Sequence, residues 1–358
     1  MNCDLYDNGA TSSGGGMYSL SSSPIISNCN FYDNTAASGG GISNRSSLTH
    51  VSNCNFYDNA STDKGGGMYN NNLSASIVSN CNFYDNTADN NGGGMYNHNS
   101  SSPEITNCIF WKNSSGVGAD SDIENDGSGS SPTVGHSLLQ VYTGGMNNMT
   151  GTDPLFVDES DPDGADDIPG TSDDGLRLRT CSPARDVGQD NGSNSDVPVS
   201  DILGNGRLGI TDMGCYEYQT PIPIRIYVNI GVIGGMGDGS SWGNAYTNLQ
   251  DAIDSACTLD EIWVAEGTYH PTDIPDGATA TTSRDRSFHL NKDLKIYGGF
   301  DATETLLSER NHQANPTILS GDIGGPNDDS DNCYHVFITA NLTSDAVLDG
   351  FGIMGGNA

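Results

Sequence analysis

Apolar positions in the first third of the chain come in short runs that alternate with polar ones. In Asn28-Cys29-Asn30-Phe31-Tyr32 the apolar Cys29 and Phe31 stand two apart, and Cys54 with Phe56, Cys81 with Phe83 and Cys108 with Phe110 repeat the arrangement. A step of two is the step of a β-strand, so these residues face one side while Asn30, Tyr32 and their equivalents face the other. An aliphatic residue, Ile26, Val51, Val78 or Ile105, stands three before each cysteine. That odd spacing requires a bend in between. Asn28, Asn53, Asn80 and Asn107 occupy it; asparagine tolerates the left-handed backbone, and stacked amides can bond to one another.

The unit is periodic. Cysteines 3, 29, 54, 81 and 108 advance by 26, 25, 27 and 27, and a Gly-Gly-Gly landmark beginning at Gly14, Gly39, Gly65 and Gly92 advances by 25, 26 and 27. Triple glycine and Asn-Cys-Asn-Phe-Tyr are poor helix material, and the leucine pattern of leucine-rich repeats is missing. What remains is a parallel β-solenoid, in which each unit is one coil and every strand pairs with its equivalent about 4.8 Å above and below. The triple glycines mark a corner or a wall too thin for side chains.

These landmarks, from Asn2 to about Asn113, resemble the right-handed parallel β-helix repeats of polymorphic outer-membrane proteins and related bacterial surface adhesins. Asp153-Pro154-Leu155-Phe156, Cys181-Ser182-Pro183-Ala184 and Asp212-Met213-Gly214-Cys215-Tyr216-Glu217-Tyr218 are similar to the segment that closes such helices. The resemblance implies an all-β fold and an extracellular or cell-surface location, and implies little about activity.

After a Pro-containing linker over 219–223 the pattern changes. A strand is expected from Ile224 to Val228 and a short amphipathic capping helix near 244–256, with Ala245, Leu249, Ala252, Ile253 and Ala256 at helical spacing. Further strands are expected over 261–265, 287–290, 294–300, 316–320, 335–339 and 346–354. This stretch resembles the opening of the same family. The expected order is two partial solenoids in tandem: 1–218, coils and closing segment of a first β-helix, and 224–358, capped opening coils of a second. Cys3 then begins without a covering element, and Gly355-Gly356-Asn357-Ala358 stops where another coil would follow. Unpaired strand edges template further pairing, so the expectation is that more polypeptide continues each end, either a neighbouring repeat of a longer chain or another copy stacked head to tail.

Composition narrows the function. Thirteen Lys+Arg against 46 Asp+Glu give a formal charge of −33, which leaves no basic surface for nucleic acid. Neither an apolar run long enough to span a membrane nor an evident secretion signal is visible. Asp161, Asp163, Asp166 and Asp167 form the densest acidic loop. Hard oxygens at alternate positions suit Ca²⁺, but the order is not that of an EF-hand, and a solvated loop explains it equally. No other cofactor is called for. Asp7, Asp33, Asp58 and Asp85 form an outward acidic column, expected to be solvated. Tyr32, Tyr57, Tyr84 and Trp111 form an outward aromatic stripe that either contacts glycans or stacks on itself. The inward cysteines are expected as free thiols, with Cys181 and Cys215 the better disulfide candidates.

The fold also hosts polysaccharide-cleaving enzymes. Cleavage needs carboxylates in unequal environments or a positioned base. Acidic residues that recur identically in each coil read instead as wall, and the histidines are scattered. The expectation is no catalytic residue and a structural protein of a filament, sheath or surface layer. A surface-adhesin repeat and a carbohydrate-binding or carbohydrate-cleaving β-helix are the alternatives.

Overall fold

The computed structural model describes residues 2–116, 122–142, 144–219, 225–258, 260–275, 282–324 and 328–357. Most of the proposed linker, residues 220–223, lies outside them, as does Ile224. Contacts divide the chain into two compact units, Met1–Pro221 and Ile222–Ala358.

The first unit is a parallel β-helix whose coil has four sides. A coil runs through Cys29–Tyr32, Thr35–Ser38, Ile42–Arg45 and His50–Ser52 before the next coil resumes at Asn55–Tyr57. Stacking the equivalents gives one seven-stranded, two five-stranded and one four-stranded sheet, all parallel in their ladders. The register is that of the repeat: Phe31 lies against Phe56 and Phe83 against Phe110.

Corners follow from the residues at them. Asn28, Asn53, Asn80 and Asn107 have φ of 52°, 49°, 48° and 55°, and Asp7, Asp33, Asp58 and Asp85 turn the opposite corner at 53°, 52°, 54° and 50°. Asn and Asp tolerate this left-handed conformation because a short polar side chain compensates it locally. The glycine wall is thin as expected. A Cβ on Gly66 would lie 2.3 Å from the Thr87 carbonyl oxygen and 2.5 Å from that of Gly93.

Inside, the four coils that begin at Ile26, Val51, Val78 and Ile105 each contribute a layer of one aliphatic, one Cys, one Phe and one Ile or Met, all buried. The Phe31, Phe56, Phe83 and Phe110 rings stack at 4.8, 4.6 and 4.4 Å. Cys29, Cys54, Cys81 and Cys108 are free thiols, each donating to the carbonyl two residues earlier at 3.2–3.3 Å. The interior is also threaded by amides that sequence reasoning missed. Asn34, Asn59, Asn86 and Asn113 are buried, and Asn34, Asn59 and Asn86 each donate to the next Oδ1 at 3.0, 2.9 and 3.0 Å. A second column runs Asn44, Asn70, Asn97, Asn125 at 3.0, 2.9 and 3.0 Å.

The second unit is also built of parallel ladders. Its largest sheet orders Arg225–Val228, Glu261–Ala265, Lys295–Phe300 and Val347–Asp349. The expected strand over 346–354 is two strands, Val347–Asp349 and Phe351–Met354, because Gly350 at φ +85° breaks it. The helix spans only Leu249–Ser255, capped by the Asn248 side chain, and buries Leu249, Ala252 and Ile253 on the first strands. Trp242–Asn244 is a separate 3-10 turn. The helix also closes a strand edge. The His289 amide donates to Gln250 Oε1 at 3.0 Å and Gln250 Nε2 donates to the His289 carbonyl at 3.2 Å, so one side chain replaces a neighbouring strand. No helix among the described residues is long and apolar enough to cross a membrane.

Candidate functional site

The outer face of the seven-stranded sheet concentrates the first unit's candidate chemistry. Tyr6, Tyr32 and Tyr57 stack at 4.9 Å per step, as period-two alternation requires of an outward column. Beside them a third amide column runs from Asn82 to Asn55 at 3.1 Å and from Asn55 to Asn30 at 3.0 Å.

This face is not open. Residues 153–218 fold back along it. Phe156, Leu176, Leu178, Ile202, Met213 and Tyr216 form a core with Tyr57, Tyr84, Ile109 and Leu138. Tyr57 and Tyr84 are each only 4% exposed, while Tyr32 and Trp111 are half-buried. The glycan-contact reading of the stripe is therefore corrected for Tyr57 and Tyr84: their rings face outward from the coil but are covered by the chain's own closing segment. Tyr84 meets the edge of Phe156 at 6.0 Å and donates to the Glu159 carbonyl at 2.9 Å.

Corner and ladder amides hold that segment. Asn53 Nδ2 donates to the Ser200 carbonyl at 2.6 Å, Asn80 to those of Asp212 and Gly214 at 3.2 Å, and Asn107 to that of Gln189 at 2.7 Å. Asn55 donates to Tyr216 Oη at 2.8 Å, which in turn donates to the buried Asp174 carboxylate. Arg207, ion-paired with Glu217 at 2.9 Å, donates to Asn53 Oδ1 at 2.8 Å. The Asn28 column thus serves as coil-to-coil ladder only in part. Asn53 donates to Asn28 at 3.1 Å and Asn107 to Asn80 at 3.3 Å, while the amide groups of Asn80 go to the closing segment.

The Cys181–Cys215 pairing is also corrected. Cys215 is a free, buried thiol whose Sγ donates to Asn55 Oδ1 at 2.8 Å, and burial pushes its pKa up. Its side chain points at the amide column of the wall and serves docking rather than cross-linking.

Three of the four acidic-loop residues converge. Asp161, Asp163 and Asp167 each offer a carboxylate oxygen, all within 4.8 Å of one another. Asp166 instead accepts from the Ile168 amide at 3.0 Å and caps its own turn. Asp322, Asp328, Asp329 and Asp331 form no such group among the described residues.

The corner column borders a cleft of about 660 Å³ whose lining includes Asp58, Asp85, Lys112, Asp153, Asp158 and Glu159. Partial burial, and then the charges of Asp85, Asp33 and Asp163, push the Asp58 carboxyl up to about 6. Lys112 forms an ion pair with Glu159 across it. Chemically the cleft offers cation binding or, below about pH 6, a protonated Asp58 carboxyl.

Residues 1–136 match a family model described as a right-handed beta helix region. No curated protein matches the chain.

Proposed function

We propose that this chain is a structural protein of the cell surface or extracellular space, a β-solenoid subunit or tandem repeat of a filament, sheath or surface layer. The observation that carries the reading is the fate of the repeated side chains: Phe, Cys and Asn columns are consumed inside the coils, and the outward Tyr and Asn columns largely beneath the closing segment. Repetition here serves the wall. A charge of −33 would keep such a surface hydrated and resistant to non-specific association.

The strands Cys3–Tyr6, Met17–Leu20 and Ile25–Ser27 are the edge strands of their sheets. Their free backbone groups accept either another segment of one long chain or another copy stacked head to tail, and both give a continuous solenoid. The landmarks shared with outer-membrane and adhesin repeats support surface placement. Electron microscopy of the native material tests the assembly: periodic fibres or a layer are expected, and isolated rods would favour the adhesin reading.

The cleft beside Asp58 favours a second reading, polysaccharide cleavage. A reducing-sugar assay across acidic and neutral polysaccharides decides between them. No turnover is expected, and turnover that disappears in Asp58→Asn would replace the structural assignment.

A further inference from the structure

The closing segment holds a cavity of about 850 Å³. One side of it is a short antiparallel pair, in which the Val157 amide donates to the Arg177 carbonyl at 2.8 Å and the Arg179 amide to that of Leu155 at 2.9 Å. Leu178, between the two arginines, is buried in the core, so period two turns Arg177 and Arg179 outward, and both line the cavity. Leu155, Val157, Leu203 and Tyr218 supply apolar surface around them. The Tyr218 ring is fixed in place, with the Arg185 guanidinium carbon 3.8 Å from its centroid and its Oη bonded to Thr180 Oγ1 at 2.9 Å.

The positive charge at this cavity is uncompensated. The chain carries 46 Asp+Glu against 13 Lys+Arg, yet neither Arg177 nor Arg179 forms an ion pair among the described residues. Each guanidinium is instead steadied by one backbone carbonyl: Arg177 Nε donates to that of Asp174 at 3.0 Å and Arg179 Nη2 to that of Val157 at 2.8 Å. Most of their N–H donors are left for another acceptor. Glu217, the one carboxylate among the described lining residues, is already engaged, Oε2 with Arg207 at 2.9 Å and Oε1 with the Leu208 amide at 2.9 Å. An anion held between the two arginines also relieves their mutual repulsion.

We propose that this cavity binds a small amphipathic monocarboxylate, its carboxylate held by Arg177 and Arg179 and its apolar body lying on Leu155, Val157, Leu203 and Tyr218. Small-molecule sites in general are concave and mostly apolar, with a few polar groups that orient the ligand, and they span about 300–1,000 Å³, a range that includes this cavity. Guanidinium forks match a carboxylate with paired parallel bonds, which suits arginine to this place. A neutral apolar molecule would leave the charge unanswered, and a saccharide would leave the apolar walls uncovered. The site is built by the closing segment and is independent of whether the solenoid is a scaffold or an enzyme.

Calorimetric titration of the full chain with octanoate and with 4-phenylbutyrate tests this, the one offering a chain and the other a ring. A Kd of about 1 mM or below is expected for at least one of them, and the tighter shows which body the walls prefer. Octanol, which lacks the charge, and galacturonate, which lacks the apolar body, are each expected to bind at least about tenfold more weakly. The double variant Arg177→Gln with Arg179→Gln is expected to weaken carboxylate binding by at least about 100-fold, since a hydrogen bond to a charged group is worth about tenfold or more. Leu203→Trp fills the cavity from its apolar side while keeping both charges, and is expected to weaken binding at least about tenfold. It carries the test should the double variant not fold. No binding of either carboxylate to the wild-type protein, an affinity undiminished in a folded variant, or octanol or galacturonate bound as tightly as the carboxylates, overturns the proposal.

Discussion

Single asparagines do work here that sequence patterns usually assign to the exterior. Asn59 accepts from Asn34 at 3.0 Å and donates to Asn86 at 2.9 Å and to the Phe31 carbonyl at 2.7 Å. Replacing it by Ala leaves Asn34 Nδ2 with only the Leu5 carbonyl at 2.6 Å, takes the Oδ1 acceptor at 3.3 Å from the Asn34 backbone N–H and removes a donor to the Phe31 carbonyl, all in a dry interior where a polar group left unpaired costs about 1–3 kcal/mol. Asn59→Ala is expected to destabilise the first unit by about 2–4 kcal/mol in denaturant melts, whereas Asp58→Asn next door changes little or stabilises. Equal effects at the two positions would refute the interior ladder. The ladder's signal stood in the sequence, since Asn8, Asn34, Asn59, Asn86 and Asn113 end the five copies of the motif. It was not legible because burial of a polar side chain is recognisable only once its partner, a full coil away, is known.

Asp212 offers a pH-dependent counterpart. Burial, and then the Glu217 charge, push its carboxyl up to about 7. A carboxyl raised on folding favours the protonated folded state, so its stabilisation is complete below the unfolded value near 4 and is lost as pH rises through about 7. Docking of the closing segment is therefore expected to weaken between pH 4 and 7. Asp212→Asn should flatten that slope in a series of melts at stepped pH, and an unchanged slope would rule Asp212 out as its source.

At the scale of elements, what reads easily is what alternation or helical spacing dictates locally. The inward Cys and Phe, the left-handed Asn corners and strand Glu261–Ala265 belong to this class. What does not read is covering by distant chain. Tyr57 points outward as period two requires, but whether it meets water or Met213 and Tyr216 depends on a segment more than 150 residues later. The helix poses the same difficulty in miniature. Its apolar face is visible in the sequence, while the use of Gln250 as a surrogate strand is not, because that role needs the His289 edge beside it. Gln250→Leu keeps the volume and removes the pairing. It should cost about 1–3 kcal/mol and speed amide exchange at His289 well beyond that at neighbouring strand residues. Unchanged exchange at His289 would mean water or another group satisfies the edge.

For the first unit as a whole, two rulers must agree. The solenoid counts in coils, and each coil needs only neighbours of the same register, so removing one complete repeat leaves every ladder in step. The closing segment counts in fixed distances: the carbonyls of Ser200 and Gln189 meet Asn53 and Asn107, corners two coil steps apart. Deleting 54–80 joins Asn53 to Cys81 and restores the motif, but brings those corners to a single step of about 4.8 Å. The shortened chain is expected to keep its parallel strands and a buried Phe stack, while residues 153–218 lose their docking, expose Tyr84 and become readily cut by protease. Strand content by circular dichroism and cleavage within 158–175 report the two outcomes separately. If the shortened protein protected its closing segment as well as the intact one, that segment would be adapting to the wall, and the coil number would not be set by it. Complete unfolding would instead show that the coils depend on the closing segment, contrary to nearest-neighbour stacking as their main support.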